Sequence, residues 1–139
     1  VFNQLFEHRI DLAGMVLKPN MVISGKKASN RASPEAVAEA TVRTLKRHVP
    51  PSVTGIAFLS GGQSSTEATL HLSLMNRLGP LPWALSFSYG RALQDTALKA
   101  WGGQAATFAA GQKEFARRAK LNGLATTGRY SSEMESQAA

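Results

Sequence analysis

Apolar residues cluster in three continuous runs, Leu12 to Leu17, Val53 to Leu59 (VTGIAFL) and Trp83 to Phe87 (WALSF). Such unbroken runs predict short strands covered on both faces. Between them the apolar spacing turns helical. Ser33-Pro34-Glu35 supplies an N-cap, a proline at the first helical position and an acid in the first turn. Val37, Thr41, Leu45 and Val49 then recur every four residues, and the helix stops ahead of Pro50-Pro51. After the second run Gly61-Gly62 turns the chain, and Ser64 with Glu67 forms a capping box opening a helix to about Arg77. Gly90 leads into a helix that ends at Gly102-Gly103, with Leu93, Ala97, Ala100 and Trp101 on one face. A longer helix, from about Ala105 to Asn122, is expected to bury Ala105, Phe108, Gln112, Phe115 and Ala119, leaving Lys113, Arg117 and Lys120 more exposed. From Leu124 onward the chain is small, polar and unpatterned, which predicts a flexible tail over 124–139 behind a folded body over 1–123.

The order strand, helix, strand, helix, strand, helix, helix predicts an α/β fold with a parallel sheet and right-handed crossovers. At 139 residues the chain can bury a core, yet it is well short of the ~250 residues of a closed (β/α)8 barrel. No apolar run approaches the ~18 residues of a membrane span. Without cysteine there is no disulfide framework or thiolate site, and His8, His48 and His71 are too dispersed for a zinc motif. The net charge of +7 favours an anionic partner: nucleic acid, an acidic surface or a phosphorylated metabolite. The bases fall in short groups (Lys26, Lys27, Arg31; Arg43, Lys46, Arg47; Arg117, Arg118, Lys120) without interleaved aromatics, the pattern of solvated helix faces.

Ligands of parallel α/β folds bind at the carboxyl ends of the strands. Here those ends are Lys18, Ser60-Gly61-Gly62 and Ser88-Tyr89-Gly90-Arg91. A hydroxyl, glycine amides, helix N-termini and a planar guanidinium together make a phosphate cradle; each alone is equally a turn or a solvated side chain. Lys18 lies between apolar residues and a Pro-Asn break. It either turns its ammonium out to water along an apolar stem or serves as an amine nucleophile beside a bound phosphate ester. In the second case a Schiff base at a ketone carbon would draw electrons from the neighbouring carbon-carbon bond, the chemistry of aldol cleavage.

The motifs VLKPNMV around Lys18, PPSVTGIAFLSGGQS from Pro50 to Ser64, and PWALSFSYGRALQDTALKAWGG from Pro82 to Gly103 resemble those of class I fructose-bisphosphate aldolases. The resemblance runs through essentially the whole chain and corresponds to the last three strand-helix units of that family's TIM barrel. It implies that Lys18 is the Schiff-base lysine. It also implies that Leu59, Ser60, Gly61, Gly90 and Arg91 hold the phosphate next to the ketone. The implied reaction is reversible cleavage of fructose 1,6-bisphosphate to dihydroxyacetone phosphate and glyceraldehyde 3-phosphate, without metal or other cofactor. A homotetrameric full-length enzyme of the cytoplasm follows, or of a plastid if a transit peptide lies upstream; neither membrane nor nucleic acid is an expected partner. Sedoheptulose bisphosphate is a second substrate compatible with the mechanism. Glu7, Asp11 and Glu67 match none of the family's proton-transfer acids, which belong to earlier strands, and Tyr130 does not take the place of the family's terminal tyrosine. The chain is thus expected to be an incomplete fragment of an aldolase. A non-catalytic basic module binding nucleic acid or an acidic protein surface is the alternative.

Overall fold

The computed structural model describes residues 1–137. A short helix α1 (Phe2–Glu7) precedes three parallel strands, β1 (Val16–Leu17), β2 (Gly55–Phe58) and β3 (Ala84–Phe87), in spatial order β1-β2-β3. Helix α2 (Pro34–His48) connects the first two and α3 (Ser65–Arg77) the last two. They are followed by α4 (Arg91–Trp101), α5 (Phe108–Ala125) and a single turn α6 (Met134–Gln137). The α/β order expected from the sequence is therefore present. The first run contributes only two residues of strand, because the Asp11 carboxylate accepts from the Ala13 N–H at 3.0 Å and caps a 3-10 turn over Leu12–Gly14.

Register sets Val16, Gly55 and Ala84 abreast, followed by Leu17, Ile56 and Leu85. Alternation along each strand puts the two sets on opposite faces. Ile56 and Leu85, with Phe58, are buried in one core with Val37, Val42 and Leu45 of α2 and Ala68, Leu72 and Met75 of α3. On the opposite face Val16 is 62% exposed and Ala84 is exposed. Cover on both faces, as the apolar runs suggested, is thus not what this chain provides. Val16, Ala57 and Ala84 make the runs look continuous although they sit on the open face.

The helix signals are realised in side-chain geometry. Ser33 Oγ accepts from the Ala36 N–H at 3.2 Å, and Val37, Thr41, Leu45 and Val49 are all buried. Ser64 Oγ accepts from the Glu67 N–H at 3.2 Å while Glu67 accepts from the Ser64 N–H at 2.9 Å. A box of this kind satisfies two of the donors a helix start leaves open.

Helix α5 departs from its pattern. Phe108, Gln112 and Phe115 are exposed, and Gly111, Arg118, Leu121, Asn122 and Ala125 are buried in their place. Gly111 allows α5 to lie against α4: a Cβ there would stand 2.7 Å from Cβ of Trp101. Arg118 and Asn122 face inward because their other polar groups are bonded, to Thr69, the Ser65 carbonyl, Glu135 and the backbone of α5 itself, while Arg118 Nε is buried without a partner among the described residues.

The segment from Leu124, expected as a flexible tail, is packed as far as it is described. Helix α5 continues to Ala125, and Tyr130 is fully buried. The Tyr130 hydroxyl donates to Glu135 at 2.7 Å, and its carbonyl accepts from Ser73 Oγ at 2.9 Å and from Arg77. Ala138 and Ala139, the last residues of that expected tail, lie outside the described residues.

Candidate functional site

Carried one step past β1, the register sets Lys18 abreast of Ala57 and Ser86 on the open face of the sheet. The small Ala57 leaves room there for a long side chain. Lys18 itself is exposed, so the apolar neighbours in its sequence do not enclose it. The backbone beyond it stays tied to the sheet, since the Leu59 N–H donates to the Pro19 carbonyl at 3.1 Å.

The turn after β2 is built around two left-handed glycines, Gly61 at φ 60° and Gly62 at φ 85°. A Cβ on Gly61 would fall 2.2 Å from Oδ1 of Asn20, an atom that accepts the Met21 N–H at 2.9 Å. Glycine at this position therefore serves both a backbone conformation and a close approach between the lysine strand and the β2 turn. Ser60 is buried, and its carbonyl accepts from the Gln63 N–H at 3.0 Å and the Gln63 side chain at 2.8 Å.

The turn after β3 is fixed from two sides. The Ser88 N–H donates to the Phe58 carbonyl at 2.8 Å, extending the β2–β3 ladder past the strand ends. The buried Tyr89 donates its hydroxyl to the Ala68 carbonyl at 2.9 Å, and its ring lies 5.6 Å from that of Phe87. Burial pushes the Tyr89 hydroxyl well above the ordinary tyrosine range, so it remains a donor. Gly90 caps α4 with backbone alone, its carbonyl accepting from the N–H groups of Leu93 and Gln94 at 3.1 Å. Arg91 opens that helix with its side chain exposed and in no ion pair among the described residues.

Lys18, the 59–61 turn and the 90–91 turn thus leave the sheet at the same end, on three adjacent strands. The acids are engaged elsewhere. Glu7 accepts from Gln4, Asp11 caps the 3-10 turn, and Glu67 closes the capping box. The bond from the Ser64 backbone holds the Glu67 carboxyl below its ordinary range, against the upward pull of burial. Two groups that sequence patterning left unassigned, Gln63 and His71, lie buried behind the β2 turn, with His71 Nδ1 bonded to Gln63 Oε1. His71 lies seven residues beyond Ser64 on the inward face of α3, and this periodicity was the only signal available for it.

Residues 1–139 match the family described as fructose-bisphosphate aldolase class-I. Fructose-bisphosphate aldolase C of Mus musculus is 53% identical over 131 residues, covering 94% of this chain and 36% of that protein. The fructose-bisphosphate aldolase of Dictyostelium discoideum is 50% identical over 133 residues, covering 96% of this chain and 37% of that protein. Among solved structures, fructose-bisphosphate aldolase from Plasmodium falciparum, in complex with TRAP and a small molecule inhibitor, superposes with a TM-score of 0.92 at 47% identity. That match covers 94% of this chain and 38% of the other. The chain therefore spans a little over a third of the length of these relatives, and its three-stranded parallel sheet is a portion of the aldolase barrel. By sequence along its whole length and by fold, it belongs to the class I fructose-bisphosphate aldolase family.

Proposed function

We propose that this chain carries the Schiff-base and ketose-phosphate half of an aldolase site. Lys18 is the covalent nucleophile, and Ser60, Gly61, Gly90 and Arg91 hold the phosphate beside the ketone; Leu59, whose one donor is spent on the Pro19 carbonyl, shapes that turn without donating to the ligand. The observation that carries this reading is the exit of all three turns at one end of the sheet, with Lys18 on its open face abreast of Ala57 and Ser86.

The Lys18 amine adds to the ketone carbon of the substrate, the former carbonyl oxygen takes up two protons, one from the amine nitrogen and one from solvent, and water leaves. The resulting iminium accepts the electron pair released when the neighbouring carbon-carbon bond breaks. Arg91 offers a bidentate fork to phosphate oxygens, and the Gly61 and Gly90 amides with the Ser60 hydroxyl fix the rest of that group. Anchoring the phosphate turns attack by Lys18 into an intramolecular event with a defined approach. The reaction of the whole enzyme is reversible cleavage of fructose 1,6-bisphosphate to dihydroxyacetone phosphate and glyceraldehyde 3-phosphate. Assembly into a homotetramer in the cytoplasm belongs to the same reading.

Borohydride trapping with dihydroxyacetone phosphate, read by peptide mass spectrometry, tests the assignment. An adduct at Lys18 that disappears in Lys18→Met is the expected result. Adducts spread evenly over the exposed lysines, or none at Lys18 in a chain with native circular dichroism, would overturn it.

A further inference from the structure

Gln63 and His71 are buried polar residues that the proposed chemistry does not use, and they stand directly behind the proposed phosphate turn. Gln63 donates from both its backbone N–H, at 3.0 Å, and its side-chain Nε2, at 2.8 Å, to one acceptor, the Ser60 carbonyl. The same Nε2 lies 3.5 Å from the sulfur of Met21, three residues beyond Lys18. With Nε2 donating to Ser60, Gln63 Oε1 is left as an acceptor, so the His71 Nδ1 facing it carries the proton.

The carbonyl of Ser60 and the N–H of Gly61 belong to one planar trans peptide and point in opposite directions. Two donors pulling the carbonyl toward the buried side therefore aim the Gly61 N–H the other way. That N–H has no partner among the described residues. A lone carbonyl contact would leave the peptide free to rock about the left-handed Gly61 and Gly62. The second contact depends on the orientation of the Gln63 amide, which His71 sets.

We infer that Gln63 and His71 are positioning residues that preset the Gly61 amide for a substrate phosphate. This rests on the phosphate reading above. The His71 ring orients the Gln63 amide, and the amide orients the peptide; neither side chain touches the ligand.

The test is an NMR titration of the 139-residue chain with inorganic phosphate, following the Gly61 and Gly90 amides. His71→Leu and Gln63→Met both keep apolar volume while removing the relay. Each is expected to weaken phosphate binding by about fivefold, the equivalent of one lost hydrogen bond of ~1 kcal/mol. His71→Asn, whose Nδ2 can stand in for Nδ1, is expected to stay within about twofold of the parent. A purely structural role would lower the melting temperature and leave the affinity of the folded chain unchanged. Unchanged affinity in either folded variant overturns this inference and leaves the phosphate site standing. Absence of shifts at Gly61 and Gly90 in the parent chain overturns the phosphate reading and this inference with it.

Discussion

Arg91 is the clearest case in which a single side chain separates binding from structure. It is exposed, makes no ion pair among the described residues, and stands at the first position of α4 behind a backbone-only cap. Removing it leaves no buried partner unsatisfied. Arg91→Ala is therefore expected to keep the melting temperature within about two degrees, as surface substitutions do. Loss of a charge-assisted hydrogen-bonded pair, at ~1.5–3 kcal/mol, would raise the dihydroxyacetone phosphate concentration for half-maximal trapping at Lys18 by about 10- to 100-fold. Arg91→Lys would recover only part of this, because a point charge replaces a planar fork. A titration series of trapping yields checks all three. The positions of Lys18 and Arg91 on one rim of the sheet were both legible in the sequence, because each follows an apolar run and strand ends mark the rim. The sequence left an outward-turned Lys18 open beside an enclosed nucleophile, since flanking apolar residues cannot tell which face of the sheet remains open, and the structure exposes it.

Capping signals determined the starts of α2 and α3 from local chemistry alone, since Ser33, Ser64 and Glu67 act on atoms within three residues. The inward face of α5 was out of reach of such reasoning. Its apolar periodicity pointed to Phe108 and Phe115, but the position of α4 admits only Gly111 at the closest point, and Arg118 is buried through partners on α3 and α6. The β2 turn gives a sharper test at this scale. Gly61→Ala must adopt a left-handed φ, at ~1–2 kcal/mol, and must also displace Asn20 from its bond to the Met21 N–H, at ~1 kcal/mol more. Gly62→Ala meets only the flexible end of Lys26, at 3.3 Å, and carries the backbone term alone. Urea denaturation is expected to rank Gly61→Ala as the more destabilising of the two. Replacing Asn20 by glycine should cost ~1 kcal/mol in the parent chain and almost nothing in the Gly61→Ala background, where that bond is already lost.

Across the whole molecule, a network centred on a buried arginine joins α3 to the last described residues. Arg118, 1% exposed, donates to both oxygens of Glu135 at 2.6 and 2.7 Å, to Thr69 at 2.7 Å and to the Ser65 carbonyl at 3.1 Å. Arg117 and Tyr130 complete the set around Glu135. Low hydrophobicity after Leu124 suggested a tail because pattern reading scores apolar spacing and is blind to a buried ion pair between distant residues. The same network sets the response to acid. Burial pushes the Glu135 carboxyl up, but Arg118, Tyr130 and Arg117 hold it below its ordinary range. Its stabilising effect is thus present above that range and lost as pH falls through the lowered value, and Glu67 has the same sign. His71 behaves differently at a higher pH. Burial lowers its pKa, with Glu67 and Glu35 opposing and Arg31 reinforcing the shift. The unfolded chain therefore takes up a proton first, and stability declines once pH drops below the ordinary histidine value of ~6.5. Urea midpoints measured from pH 8 to pH 3 should fall in two stages, one beginning near pH ~6.5 and a steeper one below pH ~4. His71→Asn should remove the first stage alone. Glu135→Gln should flatten part of the second and lower stability at neutral pH by on the order of 3 kcal/mol, because Arg118 keeps its charge in a buried site without its main counter-ion. A parent profile without the upper stage would mean that His71 does not resist protonation in the folded chain, and a Glu135→Gln chain as stable as the parent at pH 7 would mean that the Arg118–Glu135 pair does not hold the last segment in place.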